Sequence, residues 1–471
     1  MADSISRQFA RWTANLRYED LPPAVVDKVK ALLLHALTSA VLGGATANAK
    51  DAIALTKAEE GKPDGATILT DGGKATRIGA TFADAELMHS SLLFDSYRML
   101  THPGPVLVPA AMVNAELEGR DGKEVITALA AGYEFLFRLC DDVIPSTAAR
   151  GFRPSPLYCT MGAALVTGKL MGLDEEGLVA TIALAANFAS GLNEGPRAGG
   201  NETSIHEPQA ARNGVFAGVI GRTGHIHGAE RSIEGEAGFY NAFTGSHTGK
   251  LSYTFTGPLQ ADLGRVTGDL GVRYNLLTAM FRMYPTAGYN QPVIDLMAEM
   301  KRQHNLNPDD IAEVTVAMNW IETLYPSPAF PRFPDWNTPR VGGTHFFAAH
   351  AAVNGGYPVV GARSLGPGGV RPEEDQGVLD FMASKVRLVQ ETDRPMFSPG
   401  ITVTMKDGTV HRGEYPYARM EWDLDQLVAR LMDCLPGYAL GTAGFTALVA
   451  AVRGAEDLPS VERLIEVTRL P

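Results

Sequence analysis

Apolar positions in the first half of the chain recur every three to four residues, with small residues between them. Val25, Val26, Val29, Leu32, Leu33 and Leu37 follow Leu21-Pro22-Pro23, where the prolines suit the first turn of a helix. The same period predicts helices over 110–117 and 124–139, joined by the turn Gly119-Arg120-Asp121-Gly122. Another pair is expected over 162–171 and 176–192 around Gly172-Leu173-Asp174, and a further helix over 209–220. Ala163, Ala164, Ala183, Ala185, Ala186 and Ala189 let neighbouring helices approach closely. This half reads as an all-helical domain with a tightly packed centre.

After about Gly245 the period changes. Residues 311–318 alternate and are rich in β-branched side chains, so they predict a strand, and 385–390 predict another. Residues 401–405 and 410–414 flank Lys406-Asp407-Gly408, a hairpin signal. Helices are expected over 292–303 and 344–354, and helical spacing returns over 424–435 and 443–452. The expected fold is mainly α: a large all-helical domain from 1–265 and 420–471, plus a smaller α+β lid domain from 266–419. A chain of 471 residues exceeds the usual size of one core, in keeping with two domains.

Composition narrows the function. Hydrophobic residues make up 45% and charged residues 20%, as in globular proteins, and the net charge is −12. No Lys/Arg block is long enough for a nucleic-acid surface. The start, Met1 to Arg7, lacks the basic-then-apolar order of a signal peptide, and the longest apolar stretch, 178–186, is too short to span a bilayer. The three cysteines, Cys140, Cys159 and Cys434, fit a reducing compartment, so a cytoplasmic location is expected. No CxxC or HExxH motif predicts a metal, and no glycine-rich nucleotide loop predicts a cofactor.

The chemistry concentrates in 88–104, which holds His89, Asp95 and His102-Pro103-Gly104. Pro103 and Gly104 argue against a helix interior, so His102 is expected on a rigid turn. A histidine fixed on a turn with an acid nearby is a common way to build a general base. Asp95 and His102 are therefore the candidate catalytic pair, expected to face one cavity between the domains, with Asp95 orienting His102 or serving as a second acid. His89 fits either an orienting role or the core. The segment 195–200 suits a loop at a pocket mouth, and His225-Ile226-His227 suits a turn better than a metal site.

Several segments, in order, resemble the MmgE/PrpD family of 2-methylcitrate dehydratase, cis-aconitate decarboxylase and iminodisuccinate epimerase. They include Leu21-Pro22, His102-Pro103-Gly104 running into Pro109-Ala110-Ala111, Gly132-Tyr133-Glu134 with Arg138, Gly151-Phe152, Leu170-Met171-Gly172-Leu173, Ala210-Ala211 with Gly214, Glu234-Gly235 and Tyr284-Pro285. The resemblance implies a helical domain with an α+β lid, a homodimer, a pocket between the domains and no metal or organic cofactor. It implies proton movement at the carbon beside a carboxylate, in an elimination, a decarboxylation or an epimerisation. Asp95 and His102 stand where the family has its catalytic acid and histidine. Elsewhere the family's groups are replaced: a histidine by Arg153, a lysine by Thr203 ahead of His206, a lysine by Arg282, a histidine by Gln291 and a tyrosine by Phe347.

Arginine clamps carboxylates in a bidentate fork but cannot exchange protons. Arg153 and Arg282 are thus expected to hold a small carboxylate substrate, with Thr203, His206, Tyr289 and Phe347 lining its site. Proton chemistry then falls on His102, Asp95, His206 or a tyrosine such as Tyr289. The expected function is a cofactor-independent lyase or isomerase. The alternatives are a divergent enzyme acting on a non-tricarboxylate biosynthetic intermediate, and a non-catalytic dimeric scaffold.

Overall fold

The computed structural model describes residues 3–325, 332, 334–361 and 371–471, and its fold is mainly helical with a smaller α+β part. The helix Pro23–Gly43 lies buried in the helical body. Its sequence suggests one apolar stripe, yet every residue from Lys28 to Gly43 is buried. The C-terminal helices Leu424–Leu431 and Gly441–Arg453 pack against it and cover what would be its polar side. Lys28 donates to the carbonyl of Trp422 at 2.6 Å, and Lys30 to that of Arg453 at 2.8 Å. Both ammonium groups are thereby satisfied inside the protein, as burial demands.

Arg77–Ser90, Gly104–Glu118 and Gly122–Cys140 pack against the Pro23–Gly43 helix, and Pro154–Leu170 packs in turn against Gly104–Glu118, Gly122–Cys140, Glu175–Phe188 and His206–Gly221. Small residues set their spacing. A Cβ on Gly132 would come within 2.4 Å of Val166, and one on Gly214 within 2.6 Å of Ala163. The Gly104 helix begins six residues before the expected start and contains Pro109. Pro109 lies beyond the first turn, so its missing N–H leaves the carbonyl of Pro105 without its intrahelical donor. The Arg77 helix was not evident from sequence. It buries Asp84, Glu86 and His89 among alanines, so it lacks an apolar stripe.

The predicted strands form one four-stranded sheet, ordered Val386–Glu391, Ile311–Asn319, Gly400–Met405, Val410–Glu414. The first pair is parallel, with Val314 opposite Val386, and the others are antiparallel. Gly408 closes the hairpin with φ of 89°. A second, two-stranded sheet matters more for the site. Asp95–Ser96 pairs antiparallel with Met280–Phe281, and Arg282 N donates to Phe94 O at 2.8 Å. This bridge fixes Arg282 beside the His102 turn. No helix among the described residues is long and apolar enough to cross a membrane.

Candidate active site

The turn carrying His102 is built under strain. Leu92, Arg98 and Leu100 have left-handed backbone angles, with φ of 65°, 48° and 71°. Each costs a non-glycine residue about 1–2 kcal/mol, so packing must enforce the path. Asp95 does much of that enforcement. It is 1% exposed, and its oxygens accept from Gly104 N at 2.6 Å and from the Tyr133 hydroxyl at 2.7 Å. Gly104 is required by the close approach, since a Cβ there would lie 2.6 Å from an Asp95 oxygen. Burial raises the Asp95 carboxyl to about 6, although the Tyr133 and Gly104 bonds oppose the rise.

Asp95 does not hydrogen-bond the His102 ring, contrary to the expected pairing. Ser96 does: its Oγ lies 2.9 Å from His102 Nδ1. The next residue along the strand wins because Asp95 is turned down onto Gly104 and Tyr133. Ser155 accepts from His102 N at 3.0 Å. With Nδ1 bound to Ser96, Nε2 of His102 remains for a ligand. The ring is half-buried and crowded by side chains, so it borders a recess. Burial, and then the charge of Arg282, lowers its pKa well below the ordinary histidine value.

Phe94 is the partition between the charged groups. The His89 ring stacks on it at 5.2 Å, the His102 ring tilts against it at 5.1 Å, and the Arg282 guanidinium lies 4.7 Å from its centroid. His89 neither orients His102 nor packs as plain core: Nε2 lies 3.2 Å from Glu207 and Nδ1 3.7 Å from Glu86. Glu207 in turn accepts from Arg153 at 2.6 Å. Burial pushes the Glu207 carboxyl up, but Arg153, His89 and His102 outweigh it and hold it at about 2.

Arg153 and Arg282 are 7% and 6% exposed, so neither is a surface ion-pair residue. They differ in partners. Arg153 is matched by Glu207. Arg282 donates to the carbonyl of Thr286, its Nε has no hydrogen-bond partner, and among the described residues no carboxylate pairs with it. Burial, then repulsion from Arg153, lowers its pKa to about 10.

The remaining expected residues divide. His206 opens its helix half-buried, near Gly191, and its buried Nδ1 lacks a partner. Burial and the nearby Arg153 lower its pKa. Thr203 lies on the turn Glu202–Ile205 just ahead, half-buried, and the cap position is Ile205, so neither Thr203 nor Ser204 caps the helix. Tyr289 donates its hydroxyl to the carbonyl of Tyr325 and therefore holds no free proton for a ligand. Phe347 turns away into an aromatic cluster, with its ring 4.9 Å from Tyr357, because its helix packs on Asn290–Gln303. Gln291 is likewise structural, accepting from Met283 N and Tyr284 N at 2.7 and 3.0 Å. The segment expected as a loop over 195–200 includes a short helix, Glu194–Ala198.

Sequence reading missed Ser96, Glu207 and Tyr325. Tyr325 is half-buried within electrostatic reach of Arg153 and Arg282, and burial raises its pKa while Arg153 opposes. Among the described residues no three His, Cys, Asp or Glu side chains converge as metal ligands. The site thus offers a neutral imidazole, an unmatched guanidinium, a matched guanidinium and a phenol.

Residues 7–252, more than half of the chain, match the MmgE/PrpD N-terminal domain. The chain belongs to the MmgE/PrpD family. The matched stretch contains Asp95, His102, Arg153, Thr203, His206 and Glu207, while Arg282 and Tyr325 come from beyond it. Among curated members, cis-aconitate decarboxylase of Aspergillus terreus strain NIH 2624 / FGSC A1156 is 23% identical over 310 residues, covering 64% of this chain and 61% of that protein. Cis-aconitate decarboxylase-like protein oryM of Aspergillus oryzae is 22% identical over 323 residues, covering 66% and 63%. The chain therefore matches about three fifths of the length of these relatives.

Proposed function

We propose that this member of the family is a cofactor-independent acid–base enzyme, a lyase or isomerase that moves a proton beside a carboxylate of a small organic acid. The observation that carries the reading is Arg282: a buried guanidinium with no acid partner among the described residues and a free Nε, within electrostatic reach of His102. An unmatched buried charge is expensive, and a ligand carboxylate would match it. Bound there, the acid brings its α carbon toward His102. Neutral His102, with Nδ1–H directed at Ser96, takes the α proton on Nε2. Charge then builds on the carboxylate oxygens, where Arg282 stabilises it. Asp95 is a positioning residue that fixes the turn through Gly104 and Tyr133. Tyr325, within electrostatic reach of Arg153 and Arg282, is the proposed group that returns a proton in an epimerisation or at the end of a decarboxylation. The relatives named as decarboxylases favour a lyase, while Thr203 and Arg282 in place of family lysines leave fewer groups to trade protons.

The test is proton exchange in deuterated water. The enzyme should wash deuterium into the carbon beside the carboxylate of its bound acid, and His102→Gln should slow this by about a hundredfold or more without changing the fold. Absence of exchange with any bound carboxylate would favour the scaffold alternative.

A further inference from the structure

The recess has a countable charge. Two guanidiniums are buried in it, and among the described residues Arg282 alone of the two lacks an acid. Arg153 is bonded to Glu207, Glu207 is 3.2 Å from His89, and His89 is 3.7 Å from Glu86. The cation left for a ligand is therefore Arg282. The groups at the other side, His206 and Tyr325, carry no cation into the recess, since burial disfavours charge on the imidazole.

We propose that Glu207 sets the charge of the substrate: by occupying Arg153 it restricts the recess to a small acid with one carboxylate, uncharged elsewhere. This rests on the carboxylate reading above. A second carboxylate would lose its water beside Tyr325 and face Glu207 across Arg153, with no unmatched guanidinium besides Arg282 among the described residues of the recess to receive it. Desolvation without a partner outweighs attraction to an arginine already neutralised. A hydroxyl, ester or amide has no such penalty and can use the unpartnered Nδ1 of His206. Glu207 does not itself trade the proton, because its bond to Arg153 keeps it ionised.

The experiment compares ligands that differ by one charge: fumarate with monomethyl fumarate, and itaconate with its monomethyl ester. Binding to the full chain is measured by calorimetry and by ligand-induced shift in Tm. The monoesters should bind at least about tenfold tighter than the diacids, the scale of one unmatched buried charge. Glu207→Gln, which frees Arg153, should bring the diacids level with the monoesters or ahead of them. Arg282→Met should weaken every acid. Diacids that bind the parent as tightly as their monoesters, with both lost in Arg282→Met, would overturn the charge limit and leave the carboxylate reading intact. If neither series binds, or Arg282→Met changes nothing, the carboxylate reading fails and the inference fails with it. The parent comparison decides even if Glu207→Gln does not fold.

Discussion

At the scale of single residues, the site is a set of charges holding one another in defined states. Burial and Arg282 both keep His102 neutral, which a base requires before it can accept a proton. Arg282→Met removes one of these influences, so the imidazole pKa should rise toward 6.5 without reaching it, because burial remains. NMR titration of the His102 ring in both proteins checks this; an unchanged or lower value would show that Arg282 does not face the ring. Gly104 makes a second case. Gly104→Ala puts a Cβ 2.6 Å from an Asp95 oxygen, so the carboxylate or the helix start must move. A cost of about 1–3 kcal/mol is expected, with turnover falling further than stability accounts for. Denaturant unfolding beside kcat at a temperature where both proteins are folded separates the two effects. His102 was legible because proline and glycine mark its turn. Glu207 was not, because a glutamate in the first helical turn reads as a complement to the helix dipole. Only the fold reveals that its partner is Arg153, fifty-four positions earlier.

At the scale of elements, short pieces do much of the positioning. The strands Asp95–Ser96 and Met280–Phe281 have two residues each, yet they set Arg282 against the His102 turn. Such a bridge leaves no periodic trace in sequence. The longer strands and helices were legible, because burial of one face imposes a period of two or of 3.6. The Arg77 helix escaped because its buried face is alanine, glycine and acids. Glu322 is another hidden tie. It sits on the short helix Trp320–Leu324, next to Tyr325, and accepts from Phe397 N at 2.6 Å. Burial raises its pKa to about 8, against 4.5 when unfolded. A raised carboxyl contributes its stability below the unfolded value and loses it as pH rises through the folded one. The parent should therefore lose stability between pH 6 and pH 9, and Glu322→Gln should lose less over that interval. Urea midpoints at the two pH values test this; equal losses would remove Glu322 as the cause.

At the scale of the whole molecule, the recess draws on distant parts of the chain. His102, Arg153 and Glu207 come from the helical body, Arg282 from the crossing strand, and Tyr325 from the segment after the sheet's central strand. We propose a homodimer through the small-residue helices of the helical body. Phe216 is 42% exposed and stacks with Phe188 at 5.8 Å on that body, an apolar pair suited to burial between copies. Sedimentation should show a dimer at micromolar concentration, and Phe216→Asp should weaken it; a parent that sediments as a monomer would refute the expectation.

The chemistry of the relatives provides the last test. Cis-aconitate carries three carboxylates, and conversion to itaconate needs groups that receive them and a donor that reprotonates the carbon. Here Thr203 offers no charge where a family lysine stands, Arg153 is already matched by Glu207, and Phe347 points into an aromatic cluster. Among the described residues Arg282 is the one unmatched guanidinium of the site, and it can hold one of the three groups. The chain is therefore expected to release carbon dioxide from cis-aconitate at least about a hundredfold more slowly than the Aspergillus terreus decarboxylase assayed beside it, the scale of one missing positioned acid or base. Comparable rates would mean that Arg153 leaves Glu207 for the substrate, and the ion pair would then be a resting state of the site rather than its limit.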